Sequence, residues 1–401
     1  MRNKTLPNRR DFLKKGLAGF TGAAFIPSFL SKKASDDSFG QTSKKTETRT
    51  LGKTGIKLPI LSIGGGTCWD KAIFDAALEA GIKHLDTSNI YQNGNHERLV
   101  GEVMKGRNRD SVVIATSGYF RPGRADQNID EKINRAKQID LVDTLDASLQ
   151  RLGLDYVDIY YMAGIDSREV ALLEQHLTAL QKLKKEGKAR FIGITSHSNE
   201  HIVLRAAAEG NVHEVAMVQY NHLQPHKDEV KRAIAYAHQA GLGIVAMKTQ
   251  AGGKVPNHTA ALKWVLQDKN VCTAVPTMKS LAELKADLPV LENLAFTSEE
   301  KAALENKGVA SAVHVFCANC GKCLPQCPKS VDVASLMRSY MYAYGHKNLW
   351  LARENMRSVD LSRIPCSDCR SCSVKCAMGF DVRQKIAELA WVKNVPDSFL
   401  A

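Results

Sequence analysis

No run of about 20 consecutive apolar residues occurs in this chain of 401 residues, so the sequence predicts no ordinary transmembrane helix. Acidic residues are also comparatively few, with 42 aspartates and glutamates against 55 lysines and arginines, and the formal net charge is +13. The basic excess lies at the two ends of the chain, in residues 1–50 and 311–401. Because the middle is close to neutral, the composition argues against a basic groove for nucleic acid.

Cysteine is rare before residue 317, where the chain contains Cys68 and Cys272, and is then concentrated in two runs. Both runs read C-x2-C-x2-C-x3-C, the ligand spacing of bacterial ferredoxins that hold two [4Fe–4S] clusters. In those proteins the fourth cysteine of each run binds the other cluster. The spacing therefore predicts crossed ligation, with Cys317, Cys320, Cys323 and Cys376 on one cluster and Cys366, Cys369, Cys372 and Cys327 on the other.

Two other uses of these cysteines are weaker interpretations. Zinc sites usually pair two C-x2-C elements across a longer spacer, and neighbouring C-x2-C pairs form cramped disulfides. Clusters that only stabilise a small domain, without transferring electrons, remain an alternative.

The N-terminus predicts export. Residues 1–30 contain the pair Arg9-Arg10, then Phe12-Leu13-Lys14 and a mildly apolar run, which is the pattern of a twin-arginine signal. A basic amphipathic helix is the alternative. No A-x-A cleavage site follows, so an uncleaved signal that anchors the protein is a further alternative. Residues 31–49 are rich in Ser, Thr, Lys and Asp and predict a flexible linker, and we expect a periplasmic protein.

Short apolar runs alternate with amphipathic stretches throughout residues 50–296. The predicted strands are Leu61–Gly64, His84–Ser88, Val112–Ser117, Val157–Ala163, Phe191–Thr195, Val215–Tyr220, Ile244–Lys248 and Thr273–Pro276. The predicted helices between them include Ala72–Ala80, Ile133–Arg151, Val170–Glu186, Asp228–Ala240 and Ala260–Leu266. Eight such units predict an α/β fold, a parallel (β/α)8 TIM barrel whose chemistry lies at the carboxyl ends of the strands.

Several motifs within this region resemble the aldo-keto reductase family. They are the opening Leu51–Gly55, the segment Gly81–Tyr91 followed by Glu97 and Gly101, and the stations Leu152–Asp158, Ile192–Ile194 and Gln219–Asn221. The resemblance implies NADPH-linked carbonyl reduction by four residues, an Asp, a Tyr, a Lys and a His. In that scheme the Tyr donates a proton to the carbonyl oxygen, and the Lys lowers the pKa of the Tyr.

Asp86 and Tyr91 match the first two of these four positions. Ser117 stands where the resemblance implies the Lys, and Ala163 stands where it implies the His. Three hypotheses remain open: a rewired active site, a reductase that uses substitutes such as Lys248 or His84, and a barrel without catalysis.

The resemblance also implies a nicotinamide pocket. Gln219 matches the residue that contacts the carboxamide, whereas Ser196 stands in place of the usual Asn. Lys279 and Ser280 resemble the clamp for the adenosine 2′-phosphate, because a cation and a helix N-terminus suit a phosphate. We therefore expect NADP(H) as a possible cofactor beside the two clusters.

Residues 297–401 predict a mainly helical dicluster ferredoxin-like domain, which begins with a helix over 297–309 and includes helices over Val333–Tyr344 and Asn348–Val359. The whole chain is thus expected to be an exported iron–sulfur oxidoreductase with a small organic substrate, such as a sugar derivative, and a redox partner protein. The alternative is a non-catalytic barrel that serves as the scaffold of an electron-transfer or assembly subunit.

Overall fold

A short β-hairpin opens the described part of the chain, where β1 (Thr48–Thr50) pairs antiparallel with β2 (Lys57–Pro59). The turn between them ends at Gly55, whose φ of 74° is left-handed and therefore suits glycine. The computed structural model describes residues 46–66, 68–119, 128–251, 257–305, 315, 317, 321–356, 359, 366, 369–396 and 399. The predicted twin-arginine signal and residues 31–45 of the predicted linker lie outside them, whereas residues 48 and 49 belong to β1.

Eight parallel strands follow the hairpin, and each one pairs with its neighbour in sequence. They are β3 (Ile63–Gly64), β4 (His84–Asp86), β5 (Val113–Tyr119), β6 (Val157–Ala163), β7 (Ala189–Ser196), β8 (Val215–Gln219), β9 (Gly243–Met247) and β10 (Thr273–Ala274). Backbone hydrogen bonds from Ser62 N to Ala274 O (2.8 Å) and from Ala274 N to Ile60 O (2.9 Å) join the first strand to the last. The sheet therefore closes, and the predicted barrel is confirmed with all eight strands in place.

The interior of the barrel is filled by buried side chains of the strands, including Ile159, Tyr161 and Val245. Leu51 and Leu58 of the hairpin belong to the same apolar cluster. Because Lys53 N donates to Gly241 O just ahead of β9, the hairpin covers the amino-terminal end of that strand. The opposite end, where the strands finish, is left for chemistry.

The helices of the barrel differ from the prediction mainly in number. They are α1 (Lys71–Glu79), α2 (Asn95–Met104), α3 (Ile129–Lys137), α4 (Leu141–Leu152), α5 (Arg168–Ala171), α6 (Glu174–Lys185), α7 (Glu200–Gly210), α8 (Lys227–Gln239), α9 (His258–Leu266) and α10 (Leu281–Asp287). The single helix predicted over Ile133–Arg151 was wrong, because Asp140 accepts hydrogen bonds from Val142 N and Asp143 N and so starts a second helix. The helix predicted over Val170–Glu186 is likewise two helices, α5 and α6.

The described residues after the barrel are mainly helical. They form α11 (Ser298–Glu305), α12 (Val333–Tyr340), a π-helical turn (Met341–Gly345), α13 (Leu349–Met356) and α14 (Val382–Leu389). Thr297 starts α11 with a reciprocal capping box, since Glu300 N donates to Thr297 Oγ1 and Thr297 N donates to Glu300 Oε2. Lys263 of α9 pairs with Glu300 at 2.8 Å, and this buried contact ties α11 to the barrel.

The helices after the barrel share an apolar core with the loop that follows β4. Ile90 of that loop packs in one buried cluster with Leu336, Tyr342 and Leu351. The carboxyl-terminal helices therefore pack on the barrel at the end where the strands finish.

None of the helices in the described ranges is long and apolar enough to cross a membrane.

Candidate functional site

A narrow cavity of about 60 Å³ lies at the carboxyl ends of the barrel strands. Its walls come from all eight barrel strands or the loops after them and from one residue that follows the π-helical turn of the carboxyl-terminal helices. The lining includes Gly65, Gly66, Asp86, Ser88, Tyr91, Ser117, Tyr119, Ala163, Thr195, His197, Met217, Met247, Lys248, Thr277 and His346. The cavity thus brings together the predicted residues Asp86, Tyr91, Ser117, Ala163 and Lys248.

Asp86 ends β4 and is 3% exposed. Its Oδ1 atom has no hydrogen-bond partner among the residues that the structure describes. Burial raises the pKa of this carboxyl to about 8. Asp86 is therefore largely protonated at neutral pH when the cavity is empty.

Tyr91 begins the short helical turn that follows β4, and its pKa is raised above the ordinary value for tyrosine. The main cause is removal of the phenol from water, and the charge of Asp86 adds to it. A cation beside a phenol would have the opposite effect. The phenol of Tyr91 consequently stays protonated in this setting.

Ser117 and Ala163 both line the cavity at the ends of β5 and β6. Ser117 Oγ donates a hydrogen bond of 2.7 Å to Ser88 Oγ, so its short side chain is tied to the wall. Neither side chain supplies a charge to Asp86 or Tyr91. Their equivalence to the family's Lys and His stays a prediction.

Lys248 and His197 face the same cavity from the loops after β9 and β7. Burial lowers the pKa of Lys248 to about 8. Burial and the charge of Lys248 together lower the pKa of His197 to about 3, and Lys248 also lowers the pKa of His346. Lys248 therefore acts on the two imidazoles, and it does not contribute to the pKa of Asp86 or Tyr91.

His84, the other predicted substitute, does not line the cavity. It is fully buried within β4, and its Nδ1 atom lies 3.1 Å from Ser62 Oγ. Burial lowers its pKa to about 4, so the imidazole is neutral. These contacts favour a structural role for His84.

Two histidines that the sequence analysis did not single out flank the ring of Tyr91. His96 meets it edge-on, with ring centroids 5.8 Å apart, and His346 stacks on it at 5.1 Å with an interplanar angle of 19°. His96 Nε2 donates to the Cys68 carbonyl (2.9 Å), so its Nδ1 accepts from Thr87 Oγ1 (2.7 Å). Tyr91 is thus held between a fixed neutral imidazole of the barrel and a second imidazole from the carboxyl-terminal helices.

The residues predicted to hold a nicotinamide cofactor fit it in part. Gln219 ends β8, and Ser196 ends β7, where its Oγ donates to Ser198 O at 2.6 Å. The backbone N–H of Lys279 donates to the carboxylate of Glu283 at 2.7 Å, and Ser280 caps α10. A carboxylate therefore already accepts a hydrogen bond from the backbone of the segment that the resemblance assigns to the 2′-phosphate. At the other end the hydroxyl of Ser196 donates within its own loop, so the fit is incomplete at both ends of the pocket.

Seven of the eight predicted cluster ligands belong to the described residues, and Cys320 lies outside them. The seven thiols are partly exposed. Burial raises the pKa of Cys366, and the nearby thiols of Cys369, Cys372 and Cys327 raise it further. Cys327 thus lies close enough to Cys366 of the other run for their charges to interact, and crossed ligation stays a prediction.

Contacts between the two cysteine runs hold this arrangement together. Lys375 N donates to Gln326 Oε1 (2.6 Å), and Ser373 Oγ donates to Gln326 O (2.8 Å). Within the described ranges, no three His, Cys, Asp or Glu side chains are placed to hold a single metal ion. A four-iron cube instead takes one thiolate at each of four corners, so soft thiolate donors grouped in this way fit it.

Comparisons with known proteins match the two parts of the chain separately. The model of the Aldo/keto reductase family matches residues 70–259, and that of the 4Fe-4S dicluster domain matches residues 316–381. The chain is 30% identical to L-galactose dehydrogenase of Arabidopsis thaliana over 224 residues, which are 52% of this chain and 67% of that protein. It is 28% identical to Aldo-keto reductase AFTS1 of Alternaria alternata over 207 residues, which are 46% of this chain and 56% of that protein.

Solved structures resemble the barrel. The holo form of aldo-keto reductase AKR11C1 from Bacillus halodurans matches with a TM-score of 0.53 at 23% identity, over 65% of this chain and 96% of that one. At this identity the likeness supports the fold alone.

Proposed function

Because the chain belongs to the aldo/keto reductase family, we propose that it is an oxidoreductase in which chemistry in the barrel cavity is coupled to electron transfer through two [4Fe–4S] clusters. The observation that carries this proposal is the stacking of His346 on Tyr91 at the cavity. A domain that served only as an appendage would not need to place a side chain there.

The loop after β4 and the carboxyl-terminal helices are also joined by hydrogen bonds. Gln92 N donates to His346 O (2.8 Å), and Asn348 Nδ2 donates to Ile90 O (3.0 Å). These two contacts fix the segment that carries His346 against the segment that carries Tyr91. The interface therefore holds the backbone of Tyr91 close to that of His346, which places their rings within stacking distance.

Aromatic side chains continue from this contact toward the cysteines. The ring of Tyr342 lies 6.1 Å from that of His346, and its hydroxyl is 3.4 Å from that of Tyr119. Arg338 hydrogen-bonds to Tyr342 and lies close enough to Cys317 for their charges to interact. A continuous set of packed side chains thus leads from the barrel cavity to a predicted cluster ligand.

The groups around the cavity suit the removal of a proton from a substrate hydroxyl. Tyr91 remains a neutral phenol, so it donates a hydrogen bond but does not accept a proton. His197 and His346 are neutral imidazoles whose lowered pKa values make them weak bases, so they accept hydrogen bonds. Lys248, with a pKa of about 8, is a group of the cavity that takes up a proton near neutral pH. When bound, a nicotinamide coenzyme would carry a hydride and the clusters single electrons.

The size and walls of the cavity favour a small organic substrate. A sugar derivative is a candidate, because one relative bears the name L-galactose dehydrogenase. The clusters imply a redox partner protein that exchanges electrons with them. The arginine pair at residues 9 and 10 supports export by the twin-arginine route and a periplasmic location.

Anaerobic reduction tests this function. The purified, cluster-loaded protein should lose its broad visible absorbance when NADPH or NADH is added, because electrons that enter at the barrel reach the clusters. The free coenzyme should leave the band of an unrelated ferredoxin unchanged.

A second candidate function is a non-catalytic barrel that serves as a scaffold. The observation that favours it is the environment of Asp86 and Tyr91, because Lys248, which lines the same cavity, does not lower the pKa of either group. This candidate predicts that dithionite bleaches the clusters and that neither nicotinamide coenzyme does.

A further inference from the structure

The carboxyl of Asp86 is the feature of the cavity that the proposed function leaves unexplained. It is 3% exposed and lines a cavity of about 60 Å³, and its Oδ1 has no hydrogen-bond partner among the described residues. A buried carboxyl without a partner costs free energy, so such groups normally have a donor or a cation beside them. The partner of Asp86 is therefore expected to be a ligand.

The charged and titratable groups of the cavity divide into two ends. Asp86 ends β4 and Tyr91 begins the turn that follows it. Burial raises the pKa of both groups, and the charge of Asp86 raises that of Tyr91 further. Lys248, His197 and His346 interact electrostatically with one another. Among the described residues, no cation contributes to the pKa of Asp86 at the other end of the cavity.

The residue types near Asp86 select the kind of ligand. Ser88 and Ser117 contribute hydroxyl oxygens. Because Ser117 Oγ donates its hydrogen bond to Ser88 Oγ, the oxygen of Ser117 can only accept a hydrogen bond from a ligand. One carboxyl and hydroxyl oxygens suit the three N–H donors of an alkylammonium group. Divalent cations usually require several carboxylate or carbonyl oxygens.

We propose that the barrel cavity binds its substrate through a protonated amino group that pairs with Asp86 and hydrogen-bonds to Ser117. The inference rests on the proposed function, since it takes this cavity as the substrate site, and it narrows the substrate class to small amines such as amino sugars or amino alcohols. The ammonium group would fill the space beside Ser117 where the family resemblance implies a lysine. It would also supply the cation that Tyr91 does not receive from the described residues.

Calorimetric titration of the cluster-loaded protein with methylammonium chloride tests this inference, with methanol as a neutral probe of the same size. We expect saturable binding of methylammonium and none of methanol. Asp86→Asn should weaken binding at least tenfold, because the variant keeps the shape of the side chain but cannot carry a charge. Ser117→Lys should abolish binding, because its own ammonium group would occupy the space.

Asp287→Asn is the matched control. Asp287 is a carboxyl that is 1% exposed and also has an Oδ1 without a partner in the described part of the chain, but it lies in α10 and does not line the cavity. This variant should bind methylammonium as the wild type does. Loss of binding in Asp287→Asn to the same extent as in Asp86→Asn would overturn the proposal.

Proton release gives a second readout. If Asp86 ionises when the ligand binds, about one proton per methylammonium should be released below pH 7, and fewer above pH 9. Calorimetric titration in two buffers of different ionisation enthalpy measures this number of protons. Equal binding of methanol and methylammonium, or no binding of methylammonium to the wild type, would overturn the inference. Neither readout requires a coenzyme, so a failure of cluster reduction would contradict the proposed function and leave this result standing.

Discussion

At the scale of single residues, the candidate site depends on groups whose surroundings set their charge. Asp86 is held by burial in a form that is mostly protonated at neutral pH, and Tyr91 is held as a neutral phenol. The sequence predicted both residues through the family resemblance. It could not predict their protonation, because that depends on how much water and which charges the folded loops leave around them.

The pKa of Asp86 predicts how stability depends on pH. The folded-state pKa of about 8 lies above the ordinary value of 3.8, so the unfolded chain ionises first as pH rises. The wild type should lose stability between about pH 4 and pH 8, by up to about 1.4 kcal/mol per pH unit relative to Asp86→Asn. Urea unfolding of both proteins at several pH values would measure this, and parallel pH profiles would contradict the assignment.

Gly65 is expected to be required for the packing of His96. A Cβ at this position would lie 2.3 Å from His96 Cε1 and would push the imidazole away from Tyr91. Gly65→Ala should therefore reduce the free energy of unfolding by about 1–3 kcal/mol. The control is Gly66→Ala, whose Cβ would make an ordinary contact of 3.7 Å with the ring of Tyr91.

Chemical denaturation of the two glycine variants distinguishes these cases. Equal free energies of unfolding for Gly65→Ala and Gly66→Ala would mean that the His96 ring moves aside without loss of stability, which would contradict the expectation. No local pattern in the sequence points to His96, because its hydrogen bonds to Thr87 and the Cys68 carbonyl form only in the folded chain.

At the scale of secondary structure elements, the strands were easier to predict than the helices. The eight strands are short and almost all of their residues are buried, as in a parallel sheet that is covered on both faces, and apolar runs mark most of them in the sequence. The segment Ile133–Arg151 reads as one amphipathic helix, yet the cap at Asp140 divides it. Helix propensity alone does not determine whether this segment forms one helix or two. The outcome also depends on how α3 and α4 pack against the barrel.

The buried pair of Lys263 and Glu300 is expected to hold α11 against α9. The two side chains are 7% and 10% exposed and meet at 2.8 Å. Lys263→Met would leave the carboxylate buried without its cation, and we expect a loss of about 3 kcal/mol in the free energy of unfolding. The exposed pair Lys71–Asp75 gives a matched control, since Lys71→Met should cost less than about 1 kcal/mol. A similar effect in both variants would contradict this expectation.

At the scale of the whole molecule, the described residues join two family modules through one interface. The sequence predicted each module from its own motifs, the barrel from alternating elements and the cluster domain from cysteine spacing. It could not predict that His346 reaches the barrel cavity, because that contact joins Tyr91 to a residue about 250 positions later in the chain. Contacts of this kind follow from how domains pack, and no local pattern encodes them.

Crossed ligation of the clusters is the next expectation at this scale. Cys327→Ser should damage the cluster that is built on Cys366, and Cys376→Ser should damage the one built on Cys317. Each variant should lose about half of its iron, measured by iron analysis, and electron paramagnetic resonance should show which cluster signal changes. The control is Cys272→Ser, which removes a buried thiol of the barrel interior and should leave the iron content unchanged. Loss of the cluster within the same run as the mutated cysteine would contradict the crossed arrangement.

Rapid-mixing reduction of the clusters by nicotinamide coenzymes, followed as anaerobic bleaching of their visible absorbance, tests the coupling of the barrel to the clusters most directly. We predict bleaching in the wild type, and at least tenfold slower bleaching in His346→Ala with an unchanged response to dithionite. Tyr344→Phe is the control, because Tyr344 lies on the same π-helical turn but hydrogen-bonds to Glu388 O within the carboxyl-terminal helices. Bleaching of the wild type by dithionite but by neither NADPH nor NADH would contradict the account.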